Sequence, residues 1–455
     1  MSDLHRRTAL SQAELVRRGE VSVEELTRHH LERIEALDGA LGAFVQLRPE
    51  AALDAARRLD AARRRAPDAA RSRLWGLPTG IKDLQLTRGF FARMGSRAFR
   101  YLWSPIDDVT SAAVRAAGLV IVGKLSTSEL AIMPVVETDL HPPTRNPWDP
   151  TRSAGGSSGG SGAAVAAAML PLAPASDGAG SIRIPASFCG LVGHKPTRGL
   201  VPNPHAPFDP IGISVLGPHG RNVDDAAALL DVLVGLDGRA SGFYERARVP
   251  PRPMRIATTS RSPLGPTDAR VARAVERVLA VLADLGHHVE PGADLVGEVD
   301  EFLPMFQFLA RHTFIVKPRV LQPVTRWLRE RGEHVTRKMA LAARDLFVAR
   351  ADRWFGDVDR GSPRPSPPRA RGRRLARPRR TRRHARRGAA RRLHRRIQRQ
   401  RPPRHQRAGV ARRRRRRPHA HRRPARRPPR RDARLLATAR IIMVALGDEH
   451  GRIAL

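Results

Sequence analysis

Apolar residues recur at helical spacing in residues 11–64, where they alternate with many Glu and Arg residues. Leu26, Leu31 and Ile34 belong to this pattern, and residues 50–65 are rich in Ala and Arg. Apolar positions spaced in this way predict amphipathic helices with one face buried. We therefore expect two or three helices in an N-terminal helical segment, residues 1–65, packed on the main body.

From Leu74 onward, short apolar runs are separated by Gly and Pro. The run Gly118–Lys124 predicts a buried strand, and the preceding Thr110–Ala117 predicts a helix. Pro253–Thr258 and Asp268–Leu285 repeat this alternation of strand and helix. Such alternation is typical of an α/β domain in which helices cover a sheet.

Three further stretches predict helices. Asn222–Leu236 is amphipathic and has two Asp residues near its start, where the helix dipole favours negative charge. Residues 301–355 are expected to be mostly helical. Gly162–Ala175 is a run of small apolar residues that contains Pro171 and Pro174, and it predicts a buried helix.

The formal net charge of +40 would ordinarily indicate a nucleic acid or an anionic membrane as partner. Its distribution changes this interpretation, because residues 360–431 contain 33 Arg and no Lys, Asp or Glu. The other 383 residues carry 50 Lys and Arg against 43 Asp and Glu, a balance of about +7. That balance is ordinary for a soluble enzyme.

The Arg-rich segment, residues 360–432, consists mostly of Arg, Pro, Ala, Gly and His. It has too few apolar residues to form a core, so we predict about 75 disordered residues there. Because Arg, Pro, Ala and Gly all have codons made only of G and C, we hypothesise a frameshift near Asp359. Residues 433–455 then predict a short helical tail. If the segment is genuine, it would bind nucleic acid as a basic arm, although it lacks interleaved aromatic residues.

Cys189 is the single cysteine of the chain, which excludes an intrachain disulfide and suits a reducing compartment. The first residues, from Met1 to Arg7, lead into a charged helical pattern rather than an apolar signal segment. No charge-free apolar run is long enough to span a bilayer. We therefore expect a cytoplasmic location and no membrane partner.

Candidate chemistry is concentrated in residues 153–202. Gly178, Ala179 and Gly180 form a small-residue turn directly before Ser181. The N–H groups of such a turn can converge on one point, as stabilisation of an oxyanion requires. Ser181 is thus a candidate nucleophile that needs a base, and no histidine arrangement suits that role. A lysine kept neutral by burial or by neighbouring positive charge is the available alternative.

Three linked motifs carry a family resemblance. Residues 155–160 are Gly-Gly-Ser-Ser-Gly-Gly, residues 177–185 are Asp-Gly-Ala-Gly-Ser-Ile-Arg-Ile-Pro, and residues 80–83 are Gly-Ile-Lys-Asp. Ser157 and Ser181 are 24 positions apart. Together these motifs resemble the signature of the amidase signature family. Any one of them alone would be weak, because the glycine-serine string by itself is more typical of a flexible loop.

The resemblance implies a role for each motif. Ser181 would be the nucleophile, Ser157 a bridging serine preceded by a cis peptide, and Lys82 the base that acts through Ser157. The oxyanion donors would be the backbone N–H groups of Gly178, Ala179, Gly180 and Ser181. The implied fold is α/β, with a central mixed β-sheet covered by helices on both faces in an amidase domain over residues 66–359. No organic cofactor and no metal are implied.

The resemblance also implies hydrolysis of a linear or cyclic carboxamide, a small molecule, to a carboxylate and ammonia or an amine. One alternative is the amidase subunit of a tRNA-dependent amidotransferase. A homodimer is the general expectation for oligomeric state.

This sequence departs from the family pattern at several places. Ala179 stands where glycine is usual, and His194 stands where an apolar residue usually precedes Lys195. The resemblance extends from about Ser11 to Asp359, and the family's C-terminal section has no counterpart after it. A further alternative is therefore an inactive, truncated amidase with a basic tail that binds nucleic acid.

Other residues near the motifs have simpler interpretations. Arg183 and Lys195 are expected to be structural, Cys189 to be a small buried residue, and Asp177 to orient the glycine turn. Residues 155–159 also satisfy the Gly-x-Ser-x-Gly pattern of the nucleophile elbow in α/β-hydrolases. We rank this elbow alternative low, because it needs a preceding strand and residues 147–153 have poor strand character.

Overall fold

The computed structural model describes residues 3–67, 69, 71–203, 209–259, 265–292, 298–359 and 430–446 of the chain. Most of the Arg-rich segment, residues 360–429, lies outside this part of the chain. The disorder and the frameshift proposed for that segment therefore stay predictions.

Three helices occupy the N-terminal part of the chain, as the helical spacing predicts: α1 (Ala9–Arg18), α2 (Val23–Leu41) and α3 (Pro49–Arg65). Helix α2 begins with a capping box, in which Ser22 accepts from the N–H of Glu25 and the Glu25 side chain accepts from the N–H of Ser22. A short strand between α2 and α3 is not indicated by the helical pattern.

The strands, in chain order, are β1 (Phe44–Leu47), β2 (Pro78–Lys82), β3 (Phe90–Phe91), β4 (Trp103–Ser104), β5 (Val120–Leu125), β6 (Arg145–Asn146), β7 (Asp149–Ser153), β8 (Leu172–Asp177), β9 (Val192–Gly193), β10 (Val215–Gly220), β11 (Arg255–Thr258) and β12 (His288–Pro291). The later helices are α4 (Val109–Ala116), α5 (Gly159–Ala166), α6 (Arg183–Cys189), α7 (Val223–Val234), α8 (Phe243–Ala247), α9 (Ala269–Asp284), α10 (Leu303–His312), α11 (Pro323–Arg331), α12 (Arg337–Asp359) and α13 (Arg430–Ala445). The predicted strand over residues 118–124 and the helices predicted around it are confirmed.

Two three-stranded sheets form the centre of the fold. In the first, with order β1-β5-β2, β1 is antiparallel and β2 parallel to β5, so the sheet is mixed. In the second, with order β8-β10-β9, neighbouring strands are antiparallel. Helices α2, α3, α5 and α7 contact these strands. The predicted α/β class with a mixed sheet and packed helices is confirmed.

Strands β2 and β8 lie beside each other where the two sheets meet. Near the start of both strands, the Thr79 hydroxyl donates to the carbonyl of Leu172 at 3.1 Å. Near their ends, the Lys82 ammonium donates to the Ser176 hydroxyl at 2.9 Å. The two strands therefore run in the same direction, and their carboxyl ends bring Lys82 close to the turn that contains Ser181.

The buried helix predicted for Gly162–Ala175 is wrong in its second half. Helix α5 ends at Ala166, and the residues from Leu172 onward belong to β8. Pro171 and Pro174 explain the change, because proline has no N–H to continue a helical hydrogen-bond pattern. Pro174 is tolerated in β8, which is an edge strand of its hydrogen-bonded sheet.

One large apolar core joins the N-terminal helices, α5, α7 and the sheets, and it includes Ala433 and Leu436 of α13. A smaller cluster beneath α10 and α12 contains Met305 and Phe308. Helix α13 is further attached by Asp432, which accepts from the N–H of Thr197 at 2.9 Å and from its hydroxyl at 2.6 Å. Within the described ranges, no helix is both long and apolar enough to cross a membrane.

Removal of the Asp225 carboxylate is expected to destabilise the fold. Asp225 lies fully buried in α7 and accepts from the N–H groups of Ala9 and Leu10, at the start of α1, at 2.9 and 3.0 Å. Asp225→Ala would leave these donors unpaired, so we expect a loss of roughly 1–3 kcal/mol in unfolding free energy. Chemical denaturation measures this loss. Asp224→Ala, on the more exposed neighbouring residue, is the matched control, and an equal loss there would contradict the prediction.

Candidate active site

Lys82, the last residue of β2, is fully buried. Its ammonium group donates to the hydroxyl of Ser157 at 2.8 Å and to that of Ser176 at 2.9 Å. Burial lowers the pKa of Lys82 to about 7, although the negative charge of Asp177 acts in the opposite direction. A large fraction of this side chain is therefore neutral near pH 7, and a neutral amine can accept a proton.

Ser157 lies in the glycine-serine string that leads into α5. Its side chain is fully buried, and the peptide bond between Gly156 and Ser157 is cis. The string is tightly packed: a Cβ added at Gly160 would collide with the backbone N of Ser126 and the carbonyl oxygen of Ala43. These glycines thus permit close contact between chain segments. The simpler interpretation of the string as a flexible loop does not fit this packing.

Asp177 organises the turn that precedes Ser181. Its carboxylate accepts from the N–H of Gly180 at 2.7 Å and from the N–H of Ile182 at 3.3 Å. The Arg183 guanidinium donates to both carboxylate oxygens, at 2.9 and 3.0 Å. Burial opposes ionisation, but these hydrogen bonds and the charge of Arg183 outweigh it, so the pKa of Asp177 is lowered. The carboxylate therefore stays ionised and holds the turn.

The four predicted oxyanion donors differ in their surroundings. The N–H of Gly180 is already paired with Asp177, so it is not free for an oxyanion in this arrangement. The N–H groups of Gly178, Ala179 and Ser181 form no hydrogen bond with the described residues. The turn therefore offers up to three N–H groups for an oxyanion, and their role stays a prediction.

Ser157, Ser176, Gly178 and Ser181 line a common cavity of about 370 Å³. This volume lies in the usual range for small-molecule sites, roughly 300–1,000 Å³. The structure thus brings the predicted Ser157 and Ser181 to one cavity, with Lys82 hydrogen-bonded behind Ser157. Ala179 and Gly180 do not line it.

Sequence reasoning missed Ser176 as a second partner of Lys82. Its place in β8, one residue before Asp177, is visible in the sequence, but nothing there shows that β8 lies beside β2. Ser176 is itself held by Ser158, whose hydroxyl donates to its carbonyl at 3.2 Å and accepts from its N–H at 3.3 Å.

Comparisons with known proteins show the family of this chain. The family model described as Amidase matches residues 25–322, more than half of the chain. The chain belongs to the amidase signature family.

A putative amidase of Synechocystis is 35% identical over 340 residues, which cover 72% of this chain and 67% of that protein. A glutamyl-tRNA(Gln) amidotransferase subunit from Acidothermus cellulolyticus is 39% identical over 328 residues, which cover 70% of this chain and 63% of that protein. The match thus spans about two thirds of the length of these relatives.

Solved structures of the amidase signature family share the fold. The structure of 6-aminohexanoate cyclic dimer hydrolase complexed with substrate has a TM-score of 0.67 and 28% identity, and the match covers 78% of both chains. A bacterial aryl acylamidase of the same family has a TM-score of 0.70 at 23% identity, over 79% of this chain and 78% of that chain. The latter likeness concerns the fold alone.

The two departures from the amidase signature are accommodated locally. Ala179 is exposed and is not among the residues with positive φ, so its Cβ meets no backbone restriction. His194 is buried, and its Nε2 lies 3.3 Å from a carboxylate oxygen of Asp432 in α13. The unusual histidine therefore faces a polar partner rather than the apolar core.

The elbow alternative gains a strand, but its serine has no histidine partner among the described residues. Residues 149–153 do form a strand, β7, so the expectation of poor strand character is wrong. Pairing with β6 explains it, because Asn146 accepts from the N–H of Trp148 and tightens the hairpin between them. Ser157, however, contacts a lysine rather than a histidine. Cys189 is also no rival nucleophile, because burial raises the pKa of its thiol to about 12.

Gly180→Ala is expected to damage the site severely. Gly180 has a φ of 126°, which side-chain-bearing residues rarely adopt, and an added Cβ would lie 2.9 Å from Cδ1 of Ile184. A displaced Ser181 should lower kcat/KM by roughly 10²-fold. Ala179→Gly in the same turn is the control and should keep the wild-type kcat/KM, because Ala179 is exposed and has no positive φ. Steady-state kinetics that found Gly180→Ala fully active would contradict this account of the turn.

Proposed function

We propose that the chain hydrolyses carboxamides through an acyl-enzyme on Ser181. The observation that carries this proposal is the hydrogen bond between a fully buried Lys82, whose pKa is lowered to about 7, and Ser157, which shares a cavity with Ser181. A base of this kind can remove the proton that an attacking serine must lose. The proposal agrees with membership of the amidase signature family.

The proposed cycle uses only side chains and backbone groups. As Ser181 attacks the amide carbonyl, its proton passes to Ser157, and the proton of Ser157 passes to neutral Lys82. The N–H groups of Gly178 and Ser181, the two residues of the turn that line the cavity, stabilise the oxyanion. Protonated Lys82 then returns a proton through Ser157 to the departing ammonia or amine. Water hydrolyses the acyl-enzyme by the same route, releasing the carboxylate.

Trapping the acyl-enzyme tests this proposal. The full chain is mixed with p-nitrophenyl acetate, quenched in acid, and digested for mass spectrometry. We expect an acetyl group on Ser181. Fragmentation of the peptide is needed to locate it, because residues 153–183 have no internal Lys or Arg and trypsin leaves Ser157 and Ser181 in one peptide. Acetylation of Ser157 instead, or of neither serine, would contradict the assignment.

A second candidate function is the amidase subunit of a tRNA-dependent amidotransferase. The 39% identity with a glutamyl-tRNA(Gln) amidotransferase subunit from Acidothermus cellulolyticus favours it. In that case, ammonia released at Ser181 would be transferred to an acceptor on a partner subunit. Measurement of glutaminase activity, alone and with the amidotransferase subunits of the source organism, tests this function. Hydrolysis of glutamine only in their presence would support it.

A further inference from the structure

One wall of the active-site cavity is the apolar face of α10. Phe306, Leu309 and Ala310 of α10 line the cavity, at the i, i+3, i+4 spacing that places residues on one side of a helix. Thr313, directly after the last residue of α10, lines it too. An adjacent side of α10 supplies Met305 and Phe308 to the smaller core cluster, and Leu309 also packs against that cluster, which holds the helix in place.

Loops from other parts of the chain complete the cavity with more apolar side chains. Leu84 follows β2, Leu130 and Ile132 follow β5, and Ile213 precedes β10. The space beside Ser181 is therefore bounded by aliphatic and aromatic groups contributed by several separate segments. Such a surface favours an apolar ligand, because binding removes the apolar surface of the cavity and of the ligand from water.

One acidic residue is among the described residues that line the cavity. Asp209 lines it and is 7% exposed, and one carboxylate oxygen accepts from the N–H of Ser214 at 2.6 Å. The other oxygen is buried and has no hydrogen-bond partner among the described residues. No Lys or Arg occurs among the described residues that line the cavity. A second carboxylate placed here would be repelled by Asp209 and would lose its hydration.

We propose that the acyl side of this site takes an apolar, uncharged acyl group, aliphatic or aromatic, and excludes acyl groups that carry a carboxylate, including that of glutamine. This inference rests on the proposed amide hydrolysis and names its substrate class. If it is correct, glutamine is not a substrate, and the second candidate function, an amidotransferase subunit that uses glutamine, does not apply to this chain.

Two amides of equal chain length test the inference. Hexanamide ends in a methyl group, and adipamate, the monoamide of adipic acid, carries a carboxylate at the same end of the chain. With the full chain, we expect kcat/KM for hexanamide to exceed that for adipamate by roughly 10²-fold or more, because the buried carboxylate has no compensating partner. Glutamine should be as poor a substrate as adipamate.

Two substitutions in α10 test whether this helix sets the preference for hexanamide over adipamate. Phe306→Arg introduces a cation at the cavity on a partly exposed position outside the small core cluster. It should reduce the preference for hexanamide over adipamate by at least about tenfold. Gln307→Arg is the matched control, because residue 307 does not line the cavity. Equal effects of the two variants would overturn the assignment of this wall.

Binding to Ser181→Ala separates this inference from the proposed reaction. Calorimetry with hexanamide and adipamate measures the preference without catalysis. If hexanamide binds preferentially but the wild-type chain hydrolyses no amide, the proposed function fails and the inference stands. If adipamate or glutamine is bound and hydrolysed as well as hexanamide, the inference is overturned and the proposed hydrolysis stands. Binding of neither amide would overturn the inference, whereas the proposed hydrolysis is decided by acylation of Ser181.

Discussion

Ser181→Ala is expected to lower kcat for amide hydrolysis by on the order of 10⁴–10⁶-fold, because no other group can form the proposed acyl-enzyme. Labelling by a serine-reactive fluorophosphonate should also disappear. Ser181 is half-buried and its hydroxyl makes no hydrogen bond with the described residues, so its removal should leave the fold intact. Steady-state kinetics, together with mass spectrometry of the labelled protein, measures both effects.

Ser157→Ala distinguishes the two serines. We expect slow labelling that is still located on Ser181, because the nucleophile remains while its proton relay is lost. The elbow alternative predicts the reverse: Ser157→Ala would abolish labelling and Ser181→Ala would spare it. Ser241→Ala, at an exposed position outside the cavity lining, is the control and should label at the wild-type rate.

Lys82→Met is expected to lower kcat/KM by roughly 10²–10⁴-fold, the usual contribution of a general base. Methionine keeps an unbranched side chain of similar length in the buried site but cannot accept a proton. In the wild-type chain, burial lowers the pKa of Lys82 to about 7, and the proposed base is the neutral amine. The rate should therefore rise as pH increases through about 7 and level off above it.

The pH profile of Lys82→Met should lack this rise. Lys338→Met, at an exposed position in α12, should keep both the rate and the midpoint near 7. A wild-type profile that falls as pH increases through 7 would show that the protonated lysine is the active form, contrary to the proposed role.

Much of the secondary structure follows from local pattern. The helices α1 to α3 and the strand β5 coincide closely with apolar spacing in the sequence, since one buried face produces each pattern. Local pattern failed at Gly162–Ala175, where proline ended α5 and a strand followed. It also failed at β1, whose four residues form a strand only because they pair with β5, which is remote in the sequence.

In the candidate site, too, some features are predictable from the sequence and others arise only from the fold. The three motifs and the spacing of the two serines are sufficient to identify Lys82, Ser157 and Ser181 as candidates. The contact of Ser176 with Lys82 cannot be predicted from local sequence, because the two residues are 94 positions apart in the chain. The pairing of the Gly180 N–H with Asp177 depends equally on how the turn closes.

The sequence alone determined the family and the α/β class and supplied the candidate residues for the chemistry, because these depend on local motifs and on periodic burial. Only the tertiary structure decided the protonation state of Lys82. Its side chain is buried where β2 lies beside β8, and this burial lowers its pKa. The hydroxyls of Ser157 and Ser176 accept hydrogen bonds from it. The apolar cavity, too, is a tertiary property, since α10, Leu84, Leu130 and Ile213 come together only when the chain is folded.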